Sequence, residues 1–233
     1  MAMTTDIATF IDQVLTENDR STSAAARAIA LTGRSGGLVR PAGAGHSLAA
    51  VLETFFRAGG LAFVSPLWNP EVLPFYGARS ATSAERRPGL GRDVAEKADL
   101  TAEDTVVIFS NSGVNPYPVE IAEVAKARGA TVIAFTSRHA TESAPRRARC
   151  TVASLADILI DTTVPPGDVS WPPNSPVTSP VSSIANTALW TTVLRKVYDL
   201  DPELPLWRSA NIDGNDTHNT DLVTMFQGRV VAL

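Results

Sequence analysis

A three-layer α/β/α sandwich around a five-stranded parallel sheet is the architecture that this sequence predicts. Residues 106–109 (Val-Val-Ile-Phe) form a continuous apolar run of β-favouring residues, as in a parallel strand covered on both faces. A polar turn at residues 110–113 (Ser-Asn-Ser-Gly) separates this strand from a helix, which Asn115 can cap and Gly129 ends. A further strand follows at residues 130–136. These segments make one βαβ unit, the connection that joins parallel strands.

Short apolar runs and helical periodicity place the other elements in chain order. The predicted strands are at residues 38–42, 61–64, 106–109, 130–136 and 158–161. The predicted helices are at residues 6–31 with a weak break at 18–21, from Ser47 onward, at 92–100, after Asn115 and at 181–198. We assign residues 1–233 to a single domain that consists of an N-terminal helical segment (6–31), an α/β core (36–200) and a C-terminal tail (201–233).

The helix that begins at Ser47 is expected to bury one apolar stripe and to end at the two glycines 59 and 60. The stripe consists of Leu48, Val51, Leu52, Phe55 and Phe56. Two long segments, at residues 65–92 and 162–180, are rich in proline and are expected to be irregular. Loops of this length in a compact domain are usually functional or mobile. The first is either a lid or wall of an active site or a surface excursion.

Composition limits the classes of partner. With 24 acidic and 20 basic residues the net charge is −4, which offers no broad basic field for nucleic acid. The single cysteine, Cys150, excludes an intrachain disulfide and a cysteine metal cluster. The N-terminus lacks the pattern of a signal peptide, and no run reaches the roughly 18 apolar residues of a membrane helix. We therefore expect a cytoplasmic protein without a nucleic-acid or membrane partner.

The turn after the central strand has the chemistry of an anion site. Ser110 and Ser112 supply hydroxyl donors, and Gly113 lets the backbone approach a ligand closely. The following helix directs free N–H groups and a partial positive charge at the same place, so a phosphate is the simplest ligand. The alternative is a plain polar turn, since strand-turn-helix units need polar turns in any case.

Four stretches of the sequence together resemble the sugar isomerase (SIS) domain family. They are Ile-Phe-Ser-Asn-Ser-Gly at 108–113 with Asn115, Gly-Ala-Gly-His-Ser at 43–47, Pro-Val-Thr-Ser at 176–179, and the tail 209–214 with Asp216, His218 and Asn219. The resemblance implies a flavodoxin-like strand order, a phosphorylated sugar as ligand and a homodimer with sites near the subunit interface. The residues it implies for phosphate and sugar binding are Gly45, His46, Ser47, Ser110, Asn111, Ser112, Gly113, Asn115, Thr178 and Ser179.

Glu53 and His218 are the candidate catalytic residues. Glu53 is either a surface partner of Arg57 at i, i+4 or a general base for aldose–ketose isomerisation. Similarity to phosphoheptose isomerases implies the second role, although Leu52 stands where that family often has another acidic residue. The same resemblance implies that His218 completes the acid–base pair, with His46 as the competing candidate.

Other functions stay open or are disfavoured by missing motifs. A non-catalytic phosphosugar sensor is one alternative, and a sugar-phosphate ether lyase that uses Glu53 or Glu85 is another. We expect no cofactor, because a dinucleotide fingerprint would need a third glycine where Leu48 stands. We assign no metal, since the histidines show no ligand spacing. The basic residues 138, 146, 147 and 149 are expected to be solvated surface or to steer an anionic substrate weakly.

Overall fold

The structure, a computed structural model, describes residues 6–233. The sheet strands are β1 (Val39–Gly43), β2 (Thr105–Phe109), β3 (Thr131–Thr136) and β4 (Ile158–Asp161). The helices are α1 (Ile7–Glu17), α2 (Asp19–Arg34), α3 (Leu48–Thr54), α4 (Ala78–Arg86), α5 (Leu90–Lys97), α6 (Pro116–Ala127), α7 (Arg138–Ser143), α8 (Val152–Leu155), α9 (Ser182–Leu200) and α10 (Asn215–Phe226). A hairpin of β5 (Val169–Trp171) and β6 (Thr178–Pro180) stands apart from the sheet. Residues 1–5 lie outside the described part. They belong to the predicted domain and to the N-terminus that was predicted to lack a signal peptide.

The sheet is parallel throughout, with the order β1-β2-β3-β4. Every residue of β2 is buried, as its unbroken apolar run requires. Helices α1, α2, α3 and α9 pack on one face, and α4, α5, α6 and α8 pack on the other. This arrangement confirms the predicted three-layer sandwich.

The predicted strand at residues 61–64 is not a regular strand. Residues 61–67 run parallel to β1 and meet it only at the isolated bridges Val39–Val64 and Ala42–Leu67. Pro41 lies in β1 between these bridges and has no N–H to donate, which interrupts the ladder. Within residues 6–233 the sheet therefore has four regular strands, and segment 61–67 takes the outer position that gives the expected flavodoxin-like order.

An aromatic cluster joins the sheet to α9. The rings of Phe109 and Phe135 are 4.7 Å apart, and Trp190 lies 6.3 Å and 6.4 Å from them. All three side chains are buried. Aromatic pairs at these separations add about 0.5–1.5 kcal/mol to the burial of their area. This cluster fixes α9 across the middle of the sheet.

The break predicted near residue 18 is confirmed. Asn18 separates α1 from α2. Its side-chain amide forms two hydrogen bonds with the backbone of Asp161, the last residue of β4. Its Nδ2 donates to the carbonyl of Asp161 (2.7 Å), and its Oδ1 accepts the N–H of Asp161 (2.9 Å). The break in the helix thus anchors the N-terminal segment to the edge of the sheet.

The predicted apolar stripe of α3 is wrong at two positions. Leu52 is 70% exposed and Phe56 is 55% exposed, while Leu48 and Val51 are buried. The helix ends at Thr54 instead of at the glycines, so Phe56 follows the helix and no longer shares its face. Leu52 lies within α3, but the buried face of the helix consists of Leu48, Ala50, Val51 and Thr54, so Leu52 faces away from it. For Phe56 the reason is that helical periodicity applies only as far as the helix extends.

The segments expected to be irregular contain regular structure. Helix α4 lies within residues 65–92, and the β5–β6 hairpin lies within residues 162–180. The tail contains α10, whose Leu222 and Phe226 are buried. In residues 6–233 there is no helix with the length and apolar character needed to cross a bilayer.

Candidate functional site

A cleft of about 700 Å³ opens where the strands of the sheet end. We call it the serine cleft. The residues that line it follow β1, β2, β3 and β4, and α4 closes one side. They are Ala44, Gly45, His46, Ser47, Pro74, Ala78, Ala81, Thr82, Glu85, Ser110, Asn111, Ser112, Ala140, Ser143, Ala144, Pro145, Pro166, Gly167, Asp168 and Ser182. Parallel α/β sheets bind ligands at this carboxyl edge.

The turn after β2 forms the floor of the serine cleft. The Oγ of Ser110 accepts the N–H of Gly113 at 3.2 Å, which leaves the hydroxyl proton free to donate to a ligand. Gly113 has φ +60°, and a Cβ there would lie 3.1 Å from Thr136 Oγ1. The backbone can therefore close this turn only with glycine. Ser112 is half-buried and faces the same cleft.

The turn after β1 supplies the opposite wall. Gly45 has φ +58°, and residues Gly45–Ser47 form a 3₁₀ turn that leads into α3. His46 and Ser47 both line the cleft. A Cβ on Gly43 would lie 3.1 Å from the carbonyl oxygen of Ser47, so a side chain there would push this turn away from the sheet. The glycines of the sequence motif thus bring hydroxyl and imidazole groups to the strand ends.

Asn111 carries a polar atom without a partner. Its Oδ1 is buried and makes no hydrogen bond with the described residues. Its backbone carbonyl is used, because it accepts the N–H of Ser137 at 2.9 Å and the hydroxyl of Thr136 at 3.0 Å. A buried acceptor without a partner costs about 1–3 kcal/mol. A ligand donor that reached this atom would remove that cost.

Asn115 links a carboxylate of the serine cleft to an arginine. Its side chain is 9% exposed. Its Nδ2 donates to Glu85 Oε1 at 2.7 Å, and its Oδ1 accepts Arg147 Nη1 at 3.2 Å. Asn115 and Gly113 do not line the cleft themselves. They act behind it, Gly113 by shaping the turn and Asn115 by holding Glu85.

Asp168 closes the cleft at the start of α9. One carboxylate oxygen accepts the N–H groups of Val181 (3.1 Å) and Ser182 (2.8 Å), and the other accepts the Ser182 hydroxyl (2.5 Å). A carboxylate at a helix N-terminus is favourable because the free N–H groups carry partial positive charge. Sequence reasoning missed Asp168 and Ser182. The available signal was an acidic residue in a Gly-Asp loop before a serine at a helix start.

The predicted residues Thr178 and Ser179 are not brought into the serine cleft. Both belong to β6 of the hairpin, and Thr178 is exposed. The carbonyl of Ser179 accepts the Ser170 hydroxyl at 2.8 Å. Pairing with β5 turns this segment outward, and Ser182 at the start of α9 takes the place in the cleft that the sequence motif suggested for them.

Glu53 and His218 also lie outside the serine cleft. Glu53 follows Ser47 by six positions on α3, which corresponds to about 9 Å along a helix axis. It forms an ion pair with Arg57 and lines a second cleft of about 590 Å³ with Trp190, Arg195 and others. We call this the Glu53 cleft. A ring nitrogen of His218 lies 2.9 Å from the carbonyl oxygen of Leu206, and Leu206 lines the same cleft. Neither predicted acid–base residue therefore lines the serine cleft of its own chain, and His218 contacts a residue that lines the Glu53 cleft.

Candidate metal ligands are not clustered in the part of the chain that the structure describes. No group of three or more histidine, cysteine or carboxylate side chains among these residues is arranged to hold an ion. Cys150 is partly buried beside Glu123, and burial raises the pKa of its thiol. His139 lies on α7, and its carbonyl accepts the Ser143 hydroxyl.

Sequence comparisons find relatives over nearly the whole chain. The sequence model of a family described as the SIS domain matches residues 4–137. A UPF0309 protein of Geobacillus thermodenitrificans is 31% identical over 217 residues, which cover 90% of this chain and 87% of that protein. A UPF0309 protein of Brucella canis is 34% identical over 214 residues, which cover 88% of this chain and 86% of that protein.

Solved structures with the same fold are more distant in sequence. A phosphoheptose isomerase from Neisseria gonorrhoeae superposes with a TM-score of 0.53 at 18% identity, covering 82% of this chain and 90% of that one. The sugar isomerase domain of the RpiR transcription factor from Sphaerobacter thermophilus gives a TM-score of 0.52 at 16% identity. The match covers 84% of this chain and 88% of that one. These likenesses confirm the predicted fold.

Proposed function

This chain belongs to the SIS domain family, and we propose that it binds a phosphorylated sugar in the serine cleft and interconverts its aldose and ketose forms. The observation that carries the proposal is the convergence of Ser110, Ser112 and Ser47 on one cleft at the carboxyl ends of two adjacent strands. Hydroxyl donors at the start of helices suit a phosphate. The phosphoheptose isomerase with the same fold supports the choice of a sugar phosphate.

In the proposed complex the phosphate lies against the turn after β2. The free hydroxyl proton of Ser110, the hydroxyl of Ser112 and the hydroxyl of Ser47 donate to its oxygens. The sugar then extends toward His46 and the wall formed by α4. Hydrogen bonds to a charged oxygen contribute about 1.5–3 kcal/mol each, so three such donors would account for specific binding.

The proposed reaction moves one proton between adjacent carbons. A carboxylate takes the proton from C2 of the aldose, the C–H electron pair forms the C1=C2 double bond, and the carbonyl oxygen receives a proton from an acid. The resulting enediol loses the proton of its C2 hydroxyl, and the carboxyl returns its proton to C1. The ketose is an isomer of the aldose, so the reaction needs no external oxidant or reductant.

We assign the carboxylate to Glu53 and the acid to His218, in a homodimer. Glu53 lines the Glu53 cleft, His218 contacts the carbonyl oxygen of Leu206 at its border, and neither residue lines the serine cleft of its own chain. They would act on a sugar bound in the serine cleft of the second subunit. SIS-type isomerases similar to this chain place their sites near the subunit interface, which supports this assignment.

Proton NMR in D₂O with pentose, hexose, heptose and amino-sugar phosphates tests the reaction. Line broadening of the sugar reports binding, and deuterium uptake at the carbon next to the carbonyl reports enediol formation. We expect uptake with the native protein and none with Glu53→Gln. Equal uptake with Glu53→Gln would contradict the assignment of Glu53 but leave the reaction in place.

Ser112→Asp tests the phosphate position. A carboxylate about 4 Å from the phosphate costs about 4 kcal/mol at an effective dielectric of 20, so we expect sugar phosphate affinity to fall at least about 100-fold. The matched control is Ser83→Asp on α4, which adds the same charge at an exposed position that does not line the cleft. Unchanged affinity of Ser112→Asp would show that the phosphate binds elsewhere.

A phosphosugar sensor without catalysis is the second candidate. The observation that favours it is that neither Glu53 nor His218 lines the serine cleft within one chain. The RpiR transcription factor domain shares the fold, which is consistent with a regulatory use of the same cleft. Line broadening without deuterium uptake across the whole panel would select the sensor over the isomerase.

A further inference from the structure

The serine cleft has an unusual charge pattern for a site that takes an anion. The charged or titratable side chains that line it are Glu85, Asp168 and His46, and neither lysine nor arginine lines it among the described residues. One anionic group of a ligand is therefore bound by hydroxyl and N–H donors alone. A second anionic group would meet a carboxylate without a compensating cation in the wall.

Asp168 has little capacity left for a ligand. Its two carboxylate oxygens already accept the N–H groups of Val181 and Ser182 and the hydroxyl of Ser182. Its charge faces the positive end of α9, which offsets it. Of the two carboxylates that line the cleft, Glu85 is therefore the one able to bind the uncharged part of a ligand.

Glu85 has one oxygen held and one oxygen free. Oε1 accepts the amide of Asn115 at 2.7 Å, and Oε2 accepts no hydrogen bond from the described residues. The amide of Asn115 has one satisfactory orientation, because its Oδ1 accepts Arg147 Nη1 on the other side. In the reversed orientation the NH₂ group of Asn115 would face the N–H donors of Arg147, and its oxygen would face the carboxylate oxygen of Glu85, so neither hydrogen bond could form. Arg147 and Asn115 therefore hold Oε1 from behind the cleft, and Glu85 lines the cleft with its second oxygen still able to accept.

We propose that Glu85 is the specificity-determining residue of the serine cleft, selecting sugars that carry a single phosphate and no other anionic group. Its Oε2 accepts a hydrogen bond from a hydroxyl or ammonium group of the sugar, and its charge repels a carboxylate or a second phosphate at that place. Asn115 and Arg147 are positioning residues. The ligand class is the monophosphate of a neutral sugar or amino sugar, and acid ethers, aldonic acids and bisphosphates are excluded. This inference rests on the proposed phosphosugar function.

The test compares two probes that differ in charge at one carbon, glucose 6-phosphate and 6-phosphogluconate, by calorimetric titration. The native protein should bind glucose 6-phosphate about 10- to 100-fold more tightly, the range expected for a hydrogen bond to a charged group. Glu85→Gln keeps the shape of the side chain and removes its charge. Its affinities for glucose 6-phosphate and 6-phosphogluconate should therefore differ by no more than about threefold. Inorganic phosphate fills only the phosphate end, and its affinity should stay unchanged, which shows that the variant is folded.

Two further variants complete the design. Glu96→Gln removes the same charge from an exposed position on α5 outside the cleft, and it should keep the native preference. Arg147→Met should lower the preference several-fold without changing phosphate affinity, because the amide of Asn115 loses its second partner. Arg147→Lys keeps a charged donor and should restore most of the preference.

Each outcome decides a separate point. If the native protein binds neither inorganic phosphate nor any sugar phosphate, the proposed function fails and this inference fails with it. If it binds sugar phosphates but Glu85→Gln keeps the native preference, the assignment of Glu85 alone is overturned. Loss of phosphate binding in Glu85→Gln would place Glu85 in the support of the cleft and would also overturn its role in selection.

Discussion

Tyr117 on α6 is a buried phenol without a hydrogen-bond partner among the described residues. Its side chain is fully covered, and burial raises the pKa of Tyr117 above its ordinary value. The folded protein therefore keeps this proton to a higher pH than the unfolded chain does. Above about pH 10, where an exposed tyrosine ionises, the unfolded state binds fewer protons and stability falls as pH rises.

We predict that Tyr117→Phe reduces this alkaline loss of stability. At pH 7 the change in unfolding free energy should be small or slightly stabilising, within about 1 kcal/mol, because the lost hydroxyl has no partner. Urea denaturation at pH 7 and at pH 10.5 measures both effects. Tyr198→Phe is the control, since it removes the same hydroxyl from a side chain that is 52% exposed. Identical pH profiles for all three proteins would contradict the argument.

Asp104 and Arg40 form a buried ion pair at the amino end of the sheet. The Nε of Arg40 lies 3.4 Å from Asp104 Oδ2, and their side chains are 9% and 4% exposed. Asp104 also accepts the N–H of Leu38 at 2.7 Å and that of Thr101 at 3.1 Å. The carboxylate therefore joins β1 to the loop before β2 and neutralises a buried guanidinium.

Removing one partner of this pair should be costly. We predict that Asp104→Asn lowers the unfolding free energy by about 3–5 kcal/mol, because it leaves the charge of Arg40 buried and unpaired. Denaturant titration provides the measurement. Asp99→Asn serves as control, because Asp99 is 93% exposed and 3.9 Å from Arg128, and its loss should cost under about 0.5 kcal/mol. A small effect at both positions would show that water reaches Arg40.

Helices α5 and α6 approach each other through a glycine. A Cβ on Gly91 would lie 2.1 Å from the carbonyl oxygen of Tyr117, closer than any real contact allows. Glu120 of α6 reinforces the pair, because its carboxylate accepts the N–H groups of Gly89, Gly91 and Arg92 at the start of α5. The close packing of these two helices determines one outer layer of the sandwich.

Gly91→Ala puts helix propensity and packing in opposition. Alanine favours an isolated helix over glycine by about 1 kcal/mol. The clash with α6 should outweigh this, so we predict a net loss of about 1–3 kcal/mol in unfolding free energy. Thermal and urea denaturation measure the change, with the exposed Ser83→Ala in α4 as control. A more stable Gly91→Ala protein would show that the helices separate at little cost.

At the scale of the whole molecule, the serine cleft and the Glu53 cleft are separate within one chain. The proposed isomerase therefore requires two subunits, each supplying one half of the site. A cyclic dimer repeats the same contact twice, so it would contain two such composite sites. This requirement makes the proposed homodimer testable through activity as well as through size.

Subunit complementation provides that test. Ser112→Asp and Glu53→Gln should each be inactive alone, and a refolded equal mixture should recover roughly a quarter of native activity, because half the dimers are mixed and each has one intact site. Deuterium uptake by the best substrate of the panel measures the recovery. Two preparations of the same variant, mixed and refolded, form the control. Absence of recovery in a mixture that forms dimers would contradict a shared site.

The polar turns and the strand–helix alternation were predictable from the sequence because they depend on neighbouring residues. The run of β2, the glycine turn after it and the helix that begins at Pro116 all follow from local side-chain chemistry. The gathering of Ser47, Ser110 and Ser112 in one cleft was predictable too, since parallel strands end at a common edge.

The positions of the carboxylates were not predictable, because they depend on where each helix ends and on which neighbour it packs against. Helix α3 carries Glu53 away from the strand ends, whereas α4 returns Glu85 to them from a segment expected to be irregular. Likewise the hairpin removes Thr178 and Ser179 from the cleft and leaves Ser182 in it. Local sequence thus decides which groups follow each strand, and packing decides which of them face the same ligand.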